Sequence, residues 1–434
     1  SYDCLQEGAQ RIFLDIACLV DNVNLGSIRE IVEASDIGAR FYLEVLVDKS
    51  LITLADSEYL FIHDLIRQMG REIVRQEAPL NPEKRSRLWH YEDVLKMLHE
   101  NLGSNNIKGI MLDPPQQEKI KWNGEAFEKM NDLKILIVRN VQFSTGPTYL
   151  PNSLRWLEWE EYPSTTLPTD FAPSELIFLK LPRSSFRLKE PFKIFANYLT
   201  NVDFSHCEFI TEVPDVSQLQ SLRRLRLLGC RNLIEIDDSV GSLSKMVQLN
   251  VSGCTNLSIF PREINMPSLE RLDLTGCESL EYFPHVVGNM ESLTEIIMEK
   301  SAIKEVPPSI GNLSRLDFLS MNSCKSLGKL PTSLFTLQKL ESLDLGECHP
   351  RTRKSLIKLK MQDIGPITTG YYVKYLFLAN CGLLNEELVL VLNCFRSLQW
   401  LDLSKNDFVS LPKCIEECTN MRILDINNCK RLRD

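Results

Sequence analysis

Cysteine and histidine would supply this chain's nucleophiles, metal ligands and proton carriers, and the sequence holds 13 of the first and 6 of the second. Cys207, Cys230, Cys254, Cys277, Cys324, Cys348, Cys381 and Cys429 all fall at one place in a recurring Leu-x-x-Leu-x-Leu-x-x-Cys pattern, with Asn406 taking that place in one copy. Thiols set one full repeat apart suit neither a disulfide framework nor a metal site. They read as a ladder of small buried residues, with metal binding or redox sensing as the chemical alternative. The odd total points to a reducing compartment. Cys414 and Cys418 lie four apart with no companion ligand in sequence and read as packing. No His-Glu-x-x-His, Gly-x-Ser-x-Gly or Cys-x-x-Cys motif occurs, although a catalytic set assembled only in space stays open.

One titratable pair has a distinctive setting. Ile62-His63-Asp64 joins the end of an apolar run to the start of a helical pattern. An imidazole beside a helix N-terminus is a reasonable phosphate contact. The plainer reading makes His63 and Asp64 wing-end and helix-cap residues.

The elements that position these residues are legible from period. Copies of the repeat begin at Leu133, Leu154, Leu176, Leu199, Leu222, Met246, Leu269, Leu293, Leu316, Leu340, Val373, Leu398 and Met421. A spacing of roughly 21–25 residues is that of leucine-rich repeats. The fourth and sixth residues of each copy share a parity, so both point inward from a short strand, and stacked neighbours make one continuous core. The expected fold is an α/β leucine-rich-repeat solenoid, a horseshoe, over 133–434. A linker and the start of the array occupy 103–132, and a small helical winged-helix domain occupies 1–102.

Residues of the opposite parity form columns on the exposed concave sheet. One column holds Trp156, Phe178, Arg224, Arg271, Phe318, Tyr375 and Trp400; the next holds Glu158, Asp203, Arg226, Asp273, Asp344, Asp402 and Asp425. Exposed aromatic and charged side chains on a rigid sheet suit recognition of a protein partner, so Trp156, Phe178, Arg224, Arg226, Phe318, Tyr375, Trp400 and Asp402 are the expected partner-binding residues. The Asp positions have a plain explanation as wet places between core leucines. Between Leu340 and Val373 lie about ten residues too many. The excess, within 350–372, carries Arg351, Arg353, Lys354, Lys358 and Lys360 and reads as a loop.

Composition limits the function classes. A formal net charge of -9 opposes nucleic acid or an anionic membrane as main partner, and no apolar stretch is long enough to span a bilayer. Three Asn-x-Ser sequons, at Asn250, Asn256 and Asn312, would matter only in a secreted protein. Residue 1 is Ser, with no signal-like segment after it, and the chain stops within a repeat, so the expectation is a piece of something longer. In the first hundred residues, helices over Ala9–Leu19, 28–32 and Phe41–Val47 precede a hairpin broken at 56–58. An amphipathic helix from Asp64 follows.

"RIFLDIACLV", "LVDKSLITL", "FIHDLIRQMGREIVRQE" and "EKRSRLWHYEDVLKML" resemble the winged-helix end of plant intracellular immune receptors of the TIR–nucleotide-binding–leucine-rich-repeat class. "NNIKGIMLD", "AFEKMNDLKILIV" and "LPNSLRWLEWEEYPSTTLP" resemble that class's linker and early repeats. The resemblance runs over nearly the whole chain. It implies that Ile62-His63-Asp64 matches the family's Met-His-Asp, in which the His approaches the β-phosphate of bound ADP and helps hold the off state. It also implies a pathogen effector or guarded host protein as partner, contacts with the receptor's own nucleotide-binding and TIR domains, and a cytoplasmic location with the nucleus left open. The TIR domain, which in the family can cleave NAD, and the Gly-x-x-x-x-Gly-Lys-Ser/Thr phosphate loop have no counterpart here. ADP or ATP is therefore expected only in a complete receptor, with no cofactor and no enzyme activity for this chain alone. The competing readings are a secreted repeat ectodomain, a ligand-binding scaffold or ubiquitin-ligase adaptor without a nucleotide switch, and an enzyme.

Overall fold

The structure is a computed structural model that describes residues 2–20, 39–55, 59–122, 124–188, 198–348, 352 and 372–433. The helix expected over 28–32, the hairpin break at 56–58 and the basic insertion lie outside them. The chain divides into two compact units, one of Ser1–Arg187 with Phe192–Cys207, the other of Leu188–Pro191 with Glu208–Asp434.

The first unit opens with helices α1 (Glu7–Leu19) and α2 (Ala39–Asp48), the antiparallel strands β1 (Thr53–Ala55) and β2 (Tyr59–Phe61), and helix α3 (Asp64–Glu77). Ile12, Phe13, Ile16, Ala17 and Leu19 of α1 are all buried, so this helix packs on nearly every side. Gly70 lets α3 approach it closely, since a Cβ there would stand 2.6 Å from that of Ala17.

Strands β3 (Arg87–Leu88), β4 (Gly109–Leu112), β5 (Ile135–Val138), β6 (Trp156–Trp159), β7 (Phe178–Lys180) and β8 (Asn201–Asp203) follow, with α4 (Tyr91–Glu100) between β3 and β4. They pair in that order as one parallel sheet. The sheet thus begins well before residue 133. The spacing Ile107-x-x-Ile110-x-Leu112 carries the signal, and all three residues are buried.

In the second unit, β9 (Arg224–Arg226), β10 (Gln248–Asn250), β11 (Arg271–Asp273), β12 (Glu295–Ile297), β13 (Phe318–Ser320), β14 (Ser342–Asp344) and β15 (Tyr375–Phe377) pair in parallel, as do β16 (Trp400–Asp402) and β17 (Ile423–Asp425) after helix α5 (Asn385–Cys394). Every copy of the repeat from Leu133 onward therefore carries its strand. The inward leucines, among them Leu249, Leu272, Leu319, Leu343, Leu376 and Leu401, are fully buried. Short 3-10 turns such as Pro308–Asn312 and Thr332–Thr336 occupy the opposite side.

One turn geometry repeats at the strand ends. The residue before each ladder position is left-handed: Glu161, Arg183, His206, Gly229, Gly253, Gly276, Lys300, Ser323, Glu347, Asn380, Lys405 and Asn428. The bend aims the next side chain into the core. There, ladder thiols donate to the carbonyl oxygen of the residue just after the strand one repeat earlier. Cys207 donates to Leu181, Cys254 to Leu227, Cys277 to Val251, Cys324 to Met298, Cys348 to Met321 and Cys381 to Leu345, at 3.0–3.4 Å. Asn406 Nδ2 makes the equivalent bond to Leu378 at 2.8 Å.

Candidate recognition surface and phosphate-contact residues

The two columns expected to be open behave differently in the two units. Trp156 and Phe178 are fully buried, which corrects their placement on an exposed partner-binding face. Both belong to one apolar cluster with Met111, Ile135 and Ile137 of the sheet and Phe13, Ile16 and Leu19 of α1. Gly109 of the same column leaves room for Leu19, whose Cδ1 would stand 2.5 Å from a Cβ there. The winged-helix domain thus covers the sheet face on β4–β7. A buried ion pair fastens it, with Arg87 Nε 2.8 Å from Asp15 Oδ1. Sequence parity gave the face these side chains occupy and carried no information about what covers it.

Beside that contact the second column forms a charge network. Glu158 accepts from the Trp156 indole at 3.2 Å and from Arg139 at 2.5 Å, and Lys180 Nζ lies 3.9 Å away. Burial alone would push the Glu158 carboxyl up. Lys180 and Arg139 outweigh it and hold the group below its ordinary value. The Lys180 ammonium stands 4.6 Å from the Trp156 ring centroid and 5.6 Å from that of Phe178.

In the second unit the face is open in part, with Asp273 and Ser320 buried. Arg224 and Arg226 are exposed on β9, and Arg226 Nη2 reaches Gln248 Oε1 at 3.4 Å. Arg271 pairs with Glu295 at 3.0 Å. Phe318 and Tyr375 are half-buried, and Trp400 keeps 37% of its surface. Tyr375, Trp400 and Ile423 are in-register neighbours on β15, β16 and β17. Phe377 and Ile423 were not singled out from sequence. Ile423 is 45% exposed, and the Phe377 ring lies 5.6 Å from that of Trp400. Their signal was available: each occupies an outward place where other copies carry Asp or Arg.

The Asp column has a local structural cause. Asp203, Asp273, Asp344, Asp402 and Asp425 each place Oδ1 2.8–3.1 Å from the backbone N–H two residues on, at Ser205, Thr275, Gly346, Ser404 and Asn427. Asn250 does the same with Ser252 at 3.0 Å, and so is a turn residue despite its sequon. The carboxylate closes an Asx turn that ends the strand. Asp402 therefore already spends one oxygen on its own turn.

Ile62 is buried, while His63 and Asp64 are exposed at the start of α3. The His63 Nδ1 accepts the Leu65 N–H at 3.2 Å and caps the helix. In neutral imidazole this puts the proton on Nε2 as a donor, which fits contact with a phosphate oxygen at a helix N-terminus. Among the described residues no group of three or more His, Cys, Asp or Glu is arranged to hold a metal. Burial pushes the Cys254, Cys277, Cys324 and Cys348 thiols up, that of Cys277 to about 12, which opposes thiolate chemistry there. No helix among the described residues is long and apolar enough to cross a membrane.

Two family models match the chain. Residues 6–78 match the winged-helix domain of Roq1-like disease resistance proteins, and residues 265–434 match the leucine-rich repeats of RPS4B-like disease resistance proteins. The chain is 30% identical, over its whole length, to TMV resistance protein N of Nicotiana glutinosa, and this alignment covers 41% of that protein. It is 31% identical to disease resistance protein RUN1 of Vitis rotundifolia over 56% of this chain and 20% of that one. With disease resistance protein RPP2B of Arabidopsis thaliana the identity is 30% over 57% of this chain and 21% of that one. The chain thus matches from about a fifth to about two fifths of the length of these relatives. Among solved structures, the functional domain of InlJ from Listeria monocytogenes matches 76% of this chain and 64% of its own, at 17% identity and a TM-score of 0.45. A winged-helix domain joined to leucine-rich repeats, each matched by its own family model, places this chain among the plant disease resistance proteins of the TIR–nucleotide-binding–leucine-rich-repeat class.

Proposed function

We propose that this chain is the sensing part of an intracellular, nucleotide-switched immune receptor, and that the open sheet face of its second unit recognises a pathogen effector or a guarded host protein. The observation that carries the reading is the contrast between equivalent positions. Trp156 and Phe178 are covered by the chain's own winged-helix domain, whereas half-buried Tyr375 stands beside exposed Trp400 and Ile423. Large rigid side chains left open on a sheet are hot-spot material for a protein partner. The winged-helix domain reads ADP in the complete receptor through the Nε2–H of His63, with Asp64 beginning the helix that holds it. Partner binding then competes with the closed arrangement as a population shift. The nucleotide-binding and TIR domains of the same receptor are its intramolecular partners, ATP its activating nucleotide, and the cytoplasm, with the nucleus, its compartment. The chain itself binds and does not catalyse.

The test is made in the complete receptor. Trp400→Ala with Tyr375→Ala abolishes partner pull-down at unchanged accumulation, and Asp64→Val gives ligand-independent cell death. A silent Asp64→Val that accumulates normally would leave a scaffold or adaptor without a switch. Unchanged pull-down by the double variant would remove the recognition surface.

A further inference from the structure

The first unit contains a complete cation site made by the sheet itself. Lys180 stands over the Trp156 and Phe178 rings with the Glu158 carboxylate 3.9 Å from its ammonium. The parts come from fixed places: an aromatic residue and a carboxylate two apart on one strand, and a lysine on the next strand in register with the carboxylate. The second unit repeats the aromatic and the carboxylate without the lysine. Trp400 and Asp402 hold the places of Trp156 and Glu158, and the residue in register with Asp402 on the next strand is Asp425, not a lysine. On the other side Phe377 supplies the second ring, 5.6 Å from Trp400. Phe377 is in register with Asp344 on one side and Asp402 on the other.

Among the described residues no Lys or Arg pairs with Asp344, Asp402 or Asp425. Lys374, the lysine just before β15, is taken by Glu341 at 2.6 Å. Burial pushes the Asp344 carboxyl up, with smaller contributions from Glu299 and Asp402, and outweighs the Gly346 N–H and the Asn322 amide, which donate to it and pull it down. Negative charge is thus concentrated beside aromatic faces that stay partly open to water. A cation arriving here gains carboxylate attraction and a ring face together, as Lys180 does.

We infer that the patch formed by Tyr375, Phe377, Trp400 and Ile423 with Asp344, Asp402 and Asp425 docks a basic segment of a partner protein, in which a Lys or Arg sits beside an aliphatic side chain. The inference rests on the recognition role proposed above and names the chemistry of the partner. The cation lies against the Trp400 and Phe377 rings beside Asp402 and Asp425, as Lys180 lies against Trp156 and Phe178 beside Glu158, and its aliphatic neighbour covers Ile423 and Tyr375. A neutral or acidic segment would leave the carboxylates facing apolar surface or like charge.

The test uses the full chain and three fluorescein-labelled peptides of one length, with Leu alternating with Lys, Glu or Ser. Fluorescence anisotropy should show the Lys peptide binding at least about tenfold more tightly than the other two, with affinity falling as salt rises. Asp402→Asn with Asp425→Asn keeps the Oδ1 acceptors of both Asx turns and should weaken the Lys peptide about fivefold or more; Trp400→Ala should do the same. Glu212→Gln with Glu235→Gln, an exposed pair on the separate two-residue strands Glu212–Val213 and Glu235–Ile236, should change nothing. Equal affinity for the three peptides, binding of none, or an equal loss in the Glu212/Glu235 variant would overturn the inference, the last by showing attraction to overall charge. Lysine selectivity in a chain whose complete receptor responds normally with Trp400→Ala would keep this site and remove the recognition role instead.

Discussion

Cys254 donates its thiol to the carbonyl oxygen of Leu227 at 3.1 Å, across one full repeat. The Leu227 carbonyl lies just past its strand and also accepts the Cys230 N–H at 3.1 Å, so the thiol adds a second, weak donor, which suits a small buried residue with a weak donor at this place. Burial pushes these thiols up and keeps them protonated near neutral pH. Iodoacetamide at about pH 8 should therefore modify exposed Cys4 and half-exposed Cys414 and Cys429 while sparing Cys254 and Cys277, which react only after unfolding. Peptide mass spectrometry reads this directly. Rapid alkylation of Cys277 in the native chain would contradict the ladder.

Trp156 and Trp400 occupy the same place in different repeats and should lose very different amounts of stability on truncation. Trp156→Ala empties a fully buried site under α1 and should cost about 3–5 kcal/mol. Trp400→Ala should cost less than about 1 kcal/mol, since its ring is partly in water. Urea denaturation of the two variants decides it, and similar losses would undo the contrast on which the recognition surface rests.

Gly253 has φ +73°, and a Cβ there would sit 3.4 Å from the Gly229 Cα, an ordinary contact. The cost of Gly253→Ala is therefore one of backbone conformation, about 1–2 kcal/mol. Ser323→Gly, at φ 58°, should be neutral or slightly stabilising. The same denaturation experiment measures both.

Two carboxyls should give opposite pH dependences. Glu158 is held below its ordinary value of 4.5, so its contribution to stability is complete above that value and is lost as pH falls through the lowered one. Glu158→Gln should lower Tm at neutral pH, by an amount that shrinks in acid. Asp344 is raised above its ordinary 3.8, so stability is lost as pH rises through the raised value, and the cost is complete at neutral pH. Asp344→Asn keeps the acceptor for the Gly346 N–H and should raise Tm at neutral pH, with no gain in acid. Calorimetry of the two variants across pH checks both signs, and parallel curves would refute them.

Much of this molecule was legible before any coordinates. The Leu-x-x-Leu-x-Leu spacing placed each strand from Ile135 to Ile423, because strand parity is a local property of the backbone. The helix beginning at Asp64 and the hairpin before it were readable for the same reason. β4 falls within 103–132, where the array was expected to start, whereas β3 was not legible, since Arg87–Leu88 is too short to show a period. The Asp column was visible as a column, but its cause, Oδ1 closing a turn on the N–H two residues on, needed distances.

What the sequence by itself determined is the repeat, the ladder, the parity of each side chain and the family resemblance, all of which are set by residues close together along the chain. Only the tertiary structure decided which outward positions meet water. Trp156 and Trp400 follow the same local rule, yet one is sealed under α1 and the other stays 37% open. The difference is made by Phe13, Ile16 and Leu19, more than 130 residues from Trp156 in sequence, and by Gly109, whose missing Cβ lets Leu19 approach. Burial depends on what packs against a face, and no local period encodes it.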